Sequence, residues 1–252
     1  MKDNIGVLLV QIGYDKDPDR VLARAEEMIE GALEKHPDTD VICLPELYYE
    51  GEKDKFIDTY KRLAKDRGVN IVTGSMPVMT PSGKPANTAF IINRDGDVVG
   101  SYSKAHLFDA YDDKESDRLE PGNELGIYDM DFGRLGVLIC YDIRFPEYAR
   151  TLALQGIDLL LVPAAFYRPR TDDWDVLLRS TALTNILYVG AANQFGKRCA
   201  GRSGAVDPNG HFIAKAPDEE CVVYADLDMT FQKHMREVNP VFQNRRPDLY
   251  EL

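Results

Sequence analysis

The chain has 252 residues, 44% of them hydrophobic, enough for one sizeable core or two small ones. Its 30 basic and 42 acidic residues leave a formal charge of −12, which argues against nucleic acid or an anionic membrane as the main partner. The 4 cysteines and 4 histidines show neither CxxC nor metal-ligand spacing, no apolar run is long enough to span a bilayer, and no leader pattern opens the chain; we expect a soluble, metal-free, cytoplasmic protein.

Short β-rich runs alternate with amphipathic helical stretches. The run IGVLLVQI (5–12) is too brief for a membrane and predicts a first strand. From Pro18 to about Lys35, Val21, Leu22, Ala25, Met28, Ile29 and Ala32 keep a 3.6-residue period, with Asp17 as N-cap and Pro18 in the first turn. A strand VICLPE (41–46), a helix over 53–67 and a strand NIVTGSMPV (70–78) follow. NTAFIINR and DVVGSYS flank the hairpin signal Asp95-Gly96-Asp97.

The second half echoes the first. GRLGVLICYD predicts a strand through residue 142, followed by a helix over 145–156 that ends at Gly156. DLLLVPAA (158–165) is the next strand. TDDWDVLLRSTALTN predicts a helix with Trp174, Leu177, Leu178, Thr181 and Asn185 on one face, and ILYVGAANQ another strand. A turn at Asp207-Pro-Asn-Gly210 joins two β pieces, and ECVVYADLD (220–228) is a last strand before a short helix. Continuous apolar strands such as VLIC and LLLV suit sheets covered on both faces. The expectation is one α/β domain over 1–252, with two sheets packed between helices.

Several strands end in something reactive. Glu46 closes VICLPE, Lys104 follows DVVGSYS and Cys140 stands where LGVLIC turns polar. Strand C-termini are where an α/β sheet gathers ligand and catalytic groups. Taken alone, each residue also fits an ordinary place: an inert buried thiol, a solvated loop carboxylate, a surface lysine after a hairpin. Together they fit each other better. A buried acid and a buried amine need partners, a thiol needs a base to become nucleophilic, and a developing oxyanion needs a fixed cation.

PELYYEG around Glu46, YSKAHLFD around Lys104 and LICYDIRFPE around Cys140 resemble, in order and separation, the three motifs of the nitrilase superfamily, the carbon–nitrogen hydrolases. The likeness runs over essentially the whole chain, including GAVDPNG (204–210) and RRPDLY (245–250). It implies a four-layer α-β-β-α sandwich without cofactor or metal. It also implies roles: Cys140 as nucleophile, Glu46 as general base, and Lys104 with the Tyr141 backbone N–H as oxyanion support. The family's second glutamate matches Glu115 in KESDRLEPG, with Glu120 as the other choice. Asp142 and Arg144 are expected to be structural partners near the nucleophile, His106 to pack or hydrogen-bond near Lys104, and the other cysteines to be core.

CYDIRFPE is similar to the omega-amidase and deaminated-glutathione amidase branch, which implies amides of small α-keto dicarboxylates. Carbamoyl-amino-acid hydrolases often carry an extra arginine where this chain has Ile143, and true nitrilases usually have tryptophan and glutamate in place of Tyr141 and Asp142. An anionic substrate asks for a cation, and Arg168 and Arg170 in AAFYRPRTDDW are the candidates, unless that loop is simply solvated. The resemblance further implies a homodimer or higher homo-oligomer. A catalytically silent binding homologue is the reading from another class, and an acyltransferase using the same thioester is a third.

Overall fold

The computed structural model describes residues 2–250. The first half runs β1 (Asn4–Gln11), α1 (Pro18–Leu33), β2 (Thr39–Cys43), α2 (Lys53–Arg67), β3 (Asn70–Met79), β4 (Pro85–Ile92) and β5 (Val98–Ser103). A small hairpin of β6 (Asp109–Ala110) and β7 (Asp113–Lys114) follows. The second half runs β8 (Ile127–Met130), β9 (Gly133–Val137), α3 (Pro146–Leu154), β10 (Leu159–Ala164), α4 (Thr171–Asn185) and β11 (Tyr188–Asn193). It ends with β12 (Gly204–Val206), β13 (Phe212–Lys215), β14 (Cys221–Asp228) and α5 (Met229–Val238).

Two six-stranded sheets have the orders β14-β1-β2-β3-β4-β5 and β8-β9-β10-β11-β12-β13. In each, three parallel strands are followed by two antiparallel ones and flanked on the other side by one antiparallel strand. The echo between the halves is therefore a repeated topology.

Strand periodicity explains the layers, because alternate side chains leave a strand on opposite faces. Val7 and Leu9 of β1 join Leu135, Val137, Leu159 and Leu161 in a core between the sheets. Leu8 and Val10 face the other way, with Val21, Leu22 and Ile29 of α1 and Phe56, Tyr60 and Leu63 of α2. Leu160 and Val162 of β10 pack on Leu152 of α3 and on Trp174 and Leu178 of α4. Three cores between four layers make the α-β-β-α sandwich. Asp17 caps α1 by accepting from the Asp19 and Arg20 amides, and Gly156 takes φ +83° just past α3.

The predicted strand GRLGVLICYD is shorter than expected. Pairing stops at Val137; the Leu138 amide still donates to Leu161 O, but Ile139 N donates instead to the Asp142 carboxylate. Cys140 then adopts φ +46° and opens a single 3-10 turn over Cys140–Arg144. A local side-chain acceptor has displaced the ladder. Likewise β2 ends at Cys43, and Glu46 lies beyond it in an isolated bridge to Ser75. The strand β8 and the β6–β7 hairpin are additions to the expected elements.

Leu161 is fully buried between the sheets, whereas Met79, at the end of β3, is 66% exposed. Leu161→Ala should therefore cost about 2–5 kcal/mol through lost burial and a residual cavity, and Met79→Ala no more than about 0.5 kcal/mol. Urea unfolding monitored by circular dichroism measures both; similar midpoints for the two variants would contradict this assignment of the core.

Candidate active site

The three strand-end residues converge, although they come from both sheets. Gly74 makes the first placement possible. It takes φ +74°, and a Cβ there would lie 2.1 Å from Pro45 O. Only glycine allows that approach, which lets Ser75 receive Leu47 N–H and donate its own amide to Pro45 O, bracketing Glu46. Lys104 emerges directly from β5, with its amide bound to Asn87 O at 2.8 Å.

Glu46 and Lys104 are each only 2% exposed and joined by a 2.9 Å ion pair. The ammonium also meets Glu115 Oε2 at 2.8 Å, and that same oxygen accepts the Phe108 amide at 2.7 Å. Burial alone would lower the Lys104 pKa, but Glu46, Cys140 and Glu115 outweigh it and hold the ammonium charged above its ordinary range. Glu120 instead lies at the surface and accepts from Ser82. Of the two glutamates considered, Glu115 is the one brought to Lys104.

Burial, then the Glu46 charge, push the Cys140 thiol well above its ordinary pKa, with Lys104 acting in the opposite direction. The resting sulfur is therefore protonated near neutrality, and attack requires a base in contact with it. The groups facing the sulfur are Glu46, Lys104 and the Ala165 amide. The left-handed backbone at Cys140 is uncommon for a residue with a side chain, and a fixed acceptor maintains it. Asp142, fully buried, accepts from Ile139 N at 2.9 Å, Tyr102 Oη at 2.7 Å and His106 N at 2.8 Å, and pairs with His106 Nδ1 at 2.8 Å. One carboxylate thus ties the turn that carries Cys140 to the loop that carries Lys104. The His106 ring stacks on Phe145 at 3.7 Å, so Asp142 and His106 take the structural places expected of them.

The four groups Glu46, Lys104, Glu115 and Cys140 border a cavity of about 110 Å³. Phe108, Tyr141 and Tyr167 supply its aromatic wall, with Phe108 edge-on to Tyr141 at 5.0 Å. A recess of about 850 Å³ shares Glu115, Arg118, Tyr167 and Arg170 with it. Arg170 reaches this cavity, its guanidinium 3.4 Å from the Tyr111 ring centroid, but Arg168 does not. Arg168 turns to Gly196 O at 2.6 Å and to Asp218 at 3.2 Å. Residues 168–170 form a 3-10 turn, where three residues complete a revolution and side chains two apart diverge.

Two other arginines line the cavity and were not expected there as site residues. Arg118 pairs with Asp113 and Arg144 with Asp173. Among the described residues, Arg170 is the one cavity-lining cation with no carboxylate within ion-pair distance. Asn87 was also missed: it is fully buried and donates to Glu46 Oε1 at 2.8 Å. Its only signal in the sequence is a polar residue at the head of an apolar strand. Cys43 and Cys199 are buried as expected, whereas Cys221 is partly exposed. No cluster of His, Cys, Asp and Glu suited to a metal ion occurs among the described residues.

Comparison with known proteins places the chain in a family. The carbon–nitrogen hydrolase family model matches residues 7–236. The chain is 37% identical to a 2-oxoglutaramate amidase of Bacillus subtilis, over 99% of this chain and 100% of the relative. It is 32% identical to omega-amidase NIT3 of Saccharomyces cerevisiae, over 99% and 96%. The crystal structure of yeast Nit3, a member of branch 10 of the nitrilase superfamily, superposes with a TM-score of 0.89, covering 98% of each chain. A variant of the amidase from Nesterenkonia sp. AN1, 25% identical with a TM-score of 0.84 over 97% and 95%, carries the acetamide moiety of fluoroacetamide on its active-site cysteine. The motifs, the paired sheets and these relatives together make this chain a member of the carbon–nitrogen hydrolase family of the nitrilase superfamily.

Proposed function

We propose that this protein is a cysteine-dependent amidase that hydrolyses the terminal amide of a small carboxylate-bearing substrate, with 2-oxoglutaramate as the leading candidate. The observation that carries the proposal is the buried Glu46–Lys104–Glu115 set beside the Cys140 thiol, bordering a small cavity that also holds an arginine free of carboxylates. The names of the relatives support the choice of amide. The 110 Å³ cavity suits a small molecule, and the whole chain is read as one domain.

In this mechanism Cys140 Sγ attacks the amide carbon as Glu46 takes the thiol proton. The oxyanion forms beside Lys104 Nζ and the Tyr141 N–H, in a dry site where fixed charges act strongly. Glu46 returns its proton to the leaving nitrogen as the C–N bond breaks, and ammonia departs. Glu46 then deprotonates a water, which attacks the thioester, and release of the acid restores the thiol. Glu115 keeps Lys104 oriented and charge-balanced while Glu46 carries a proton. Arg170 holds the remote carboxylate by its planar fork, a geometry that suits carboxylates. The free thiols suit a reducing cytoplasm, and the family's habit supports a homo-oligomer.

Cys140→Ala should fold normally, yet lose about a thousandfold or more in ammonia release from 2-oxoglutaramate. Substantial turnover in that variant, once wild-type contamination is excluded, would remove the thiol from the reaction. Glu46→Gln and Lys104→Ala should each depress turnover strongly, and their effects should fall far short of multiplying, because neither group acts without the other. A double variant as slow as the product of the single losses would indicate independent roles.

Arg170→Ala should lose about 2–4 kcal/mol of transition-state binding for an anionic amide and far less for a neutral amide of equal length. Arg168→Ala, held on Gly196 and Asp218 outside the cavity, serves as the control and should affect both substrates little. The measurement is kcat/KM for both amides in wild type and both variants. Equal losses on the two amides in Arg170→Ala would mean that the arginine shapes the cavity without reading charge. A wild-type preference for neutral amides, nitriles or carbamoyl compounds would redirect the substrate assignment.

A further inference from the structure

A carboxylate offers about four acceptor positions, two on each oxygen. At Glu46, Oε1 accepts Lys104 Nζ at 2.9 Å and Asn87 Nδ2 at 2.8 Å, which fills it. Among the described residues, Oε2 accepts from a backbone donor once, the Ala165 N–H at 2.9 Å. The same amide faces the Cys140 sulfur, so the oxygen with an open position is the one beside the thiol. Asn87 itself does not border the cavity. Its Oδ1 is buried without a hydrogen-bond partner among the described residues, so the amide is oriented by its donation to Glu46 alone. Turned over, it would set oxygen against carboxylate.

We propose that Asn87 is a positioning residue that, together with Lys104, closes Glu46 Oε1 to protons, so that every proton of the catalytic cycle passes through Oε2. This rests on the reading of Glu46 as the general base. In the first half-reaction the Sγ–H bond breaks as Sγ–C and Oε2–H form, and the Oε2 proton then passes to nitrogen as C–N breaks. In the second, a water proton moves to Oε2 as the C–O bond forms, and it returns to sulfur as C–S breaks. A proton resting on Oε1 would lie away from sulfur, leaving nitrogen and water without a correctly placed acid and base.

The test uses Asn87→Leu, which removes the donor, and Asn87→Asp, which keeps the volume and the backbone contact to Lys104 but replaces the donor with an acceptor. The readout is the pH dependence of Cys140 alkylation by iodoacetamide, resolved from Cys43, Cys199 and Cys221 by peptide mapping. Turnover of 2-oxoglutaramate is measured alongside. The titratable groups facing Glu46 are Lys104 and Cys140, with Glu115 beyond the ammonium and Cys199, whose thiol is pushed up to about 12 by burial and then by Glu46; both variants leave them in place.

Loss of a donor withdraws support from the charged carboxylate, and an added carboxylate repels it. The acid limb should move up by about half a unit or more in Asn87→Leu and by about one unit or more in Asn87→Asp. The kcat should fall about tenfold, with KM moved less than about twofold. An acid limb at the wild-type position in both folded variants, or wild-type kcat in Asn87→Leu, overturns the proposal. Asn87→Asp decides the matter should Asn87→Leu not fold, and alkylation decides it should 2-oxoglutaramate not be a substrate. A Glu46→Gln control that alkylates and turns over like wild type would show that the base reading has failed, not the reading of Asn87 alone.

Discussion

An ammonium group withdrawn from water costs several kcal/mol unless opposite charge and hydrogen bonds replace the lost hydration. Lys104 is such a group, and much of the site's arrangement follows from accommodating it. Two carboxylates from different segments, Glu46 after β2 and Glu115 after β7, close on it at 2.9 and 2.8 Å. Glu115 is in turn fixed by the Phe108 amide, so the aromatic wall is placed by the same contact that satisfies the lysine. Two acids on one base leave a net negative charge beside a thiol that is already desolvated. Both influences keep the sulfur protonated.

The second constraint is the bend at Cys140. A buried strand that simply continued would point the thiol into a core; the left-handed residue swings it to the cavity instead. Such a conformation persists when its surroundings over-determine it. Asp142 does this with three backbone and phenol donors and one imidazole contact. Burial, then the Asp142 charge, hold the Tyr102 phenol protonated far above its usual range, so it remains a donor. Because these partners belong to β5, to the loop after Lys104 and to the turn itself, Lys104 and Cys140 keep their spacing through one side chain.

Most of the fold was legible from apolar periodicity. VLIC and LLLV read as covered on both faces because each face of their sheet has a core of its own. Glu46, Lys104 and Cys140 were legible because each stands in a motif at a strand end. The extent of the strand before Cys140 was not: ladder and turn compete for the Ile139 amide, and Asp142, three residues on, wins it. Arg168 and Arg170 looked equivalent in sequence, since nothing there shows that the chain makes a 3-10 turn at that point. Asn87 shows only a polar residue at the head of an apolar strand and Arg118 no local pattern; their places depend on which distant segments fold against them. The β6–β7 hairpin was hidden for a related reason, as a pairing of two residues with two leaves no periodicity to find.

The pairing of β1 with β14 has a consequence for how the molecule is made. Asn4 through Gln11 pair residue by residue with Asp228 through Cys221, so β1 leaves the ribosome some two hundred residues before its partner. At elongation speeds of about 5–20 residues per second, that wait is roughly 10–40 s. Throughout it, one edge of an apolar strand has no ladder partner, the kind of surface on which other chains assemble. The flanking β2 is available much sooner and can shelter only the other edge. Expression yield should therefore respond to the length of that wait, and a circular permutant carrying β14 ahead of β1 would shorten it without altering a single contact in the cavity beside Cys140.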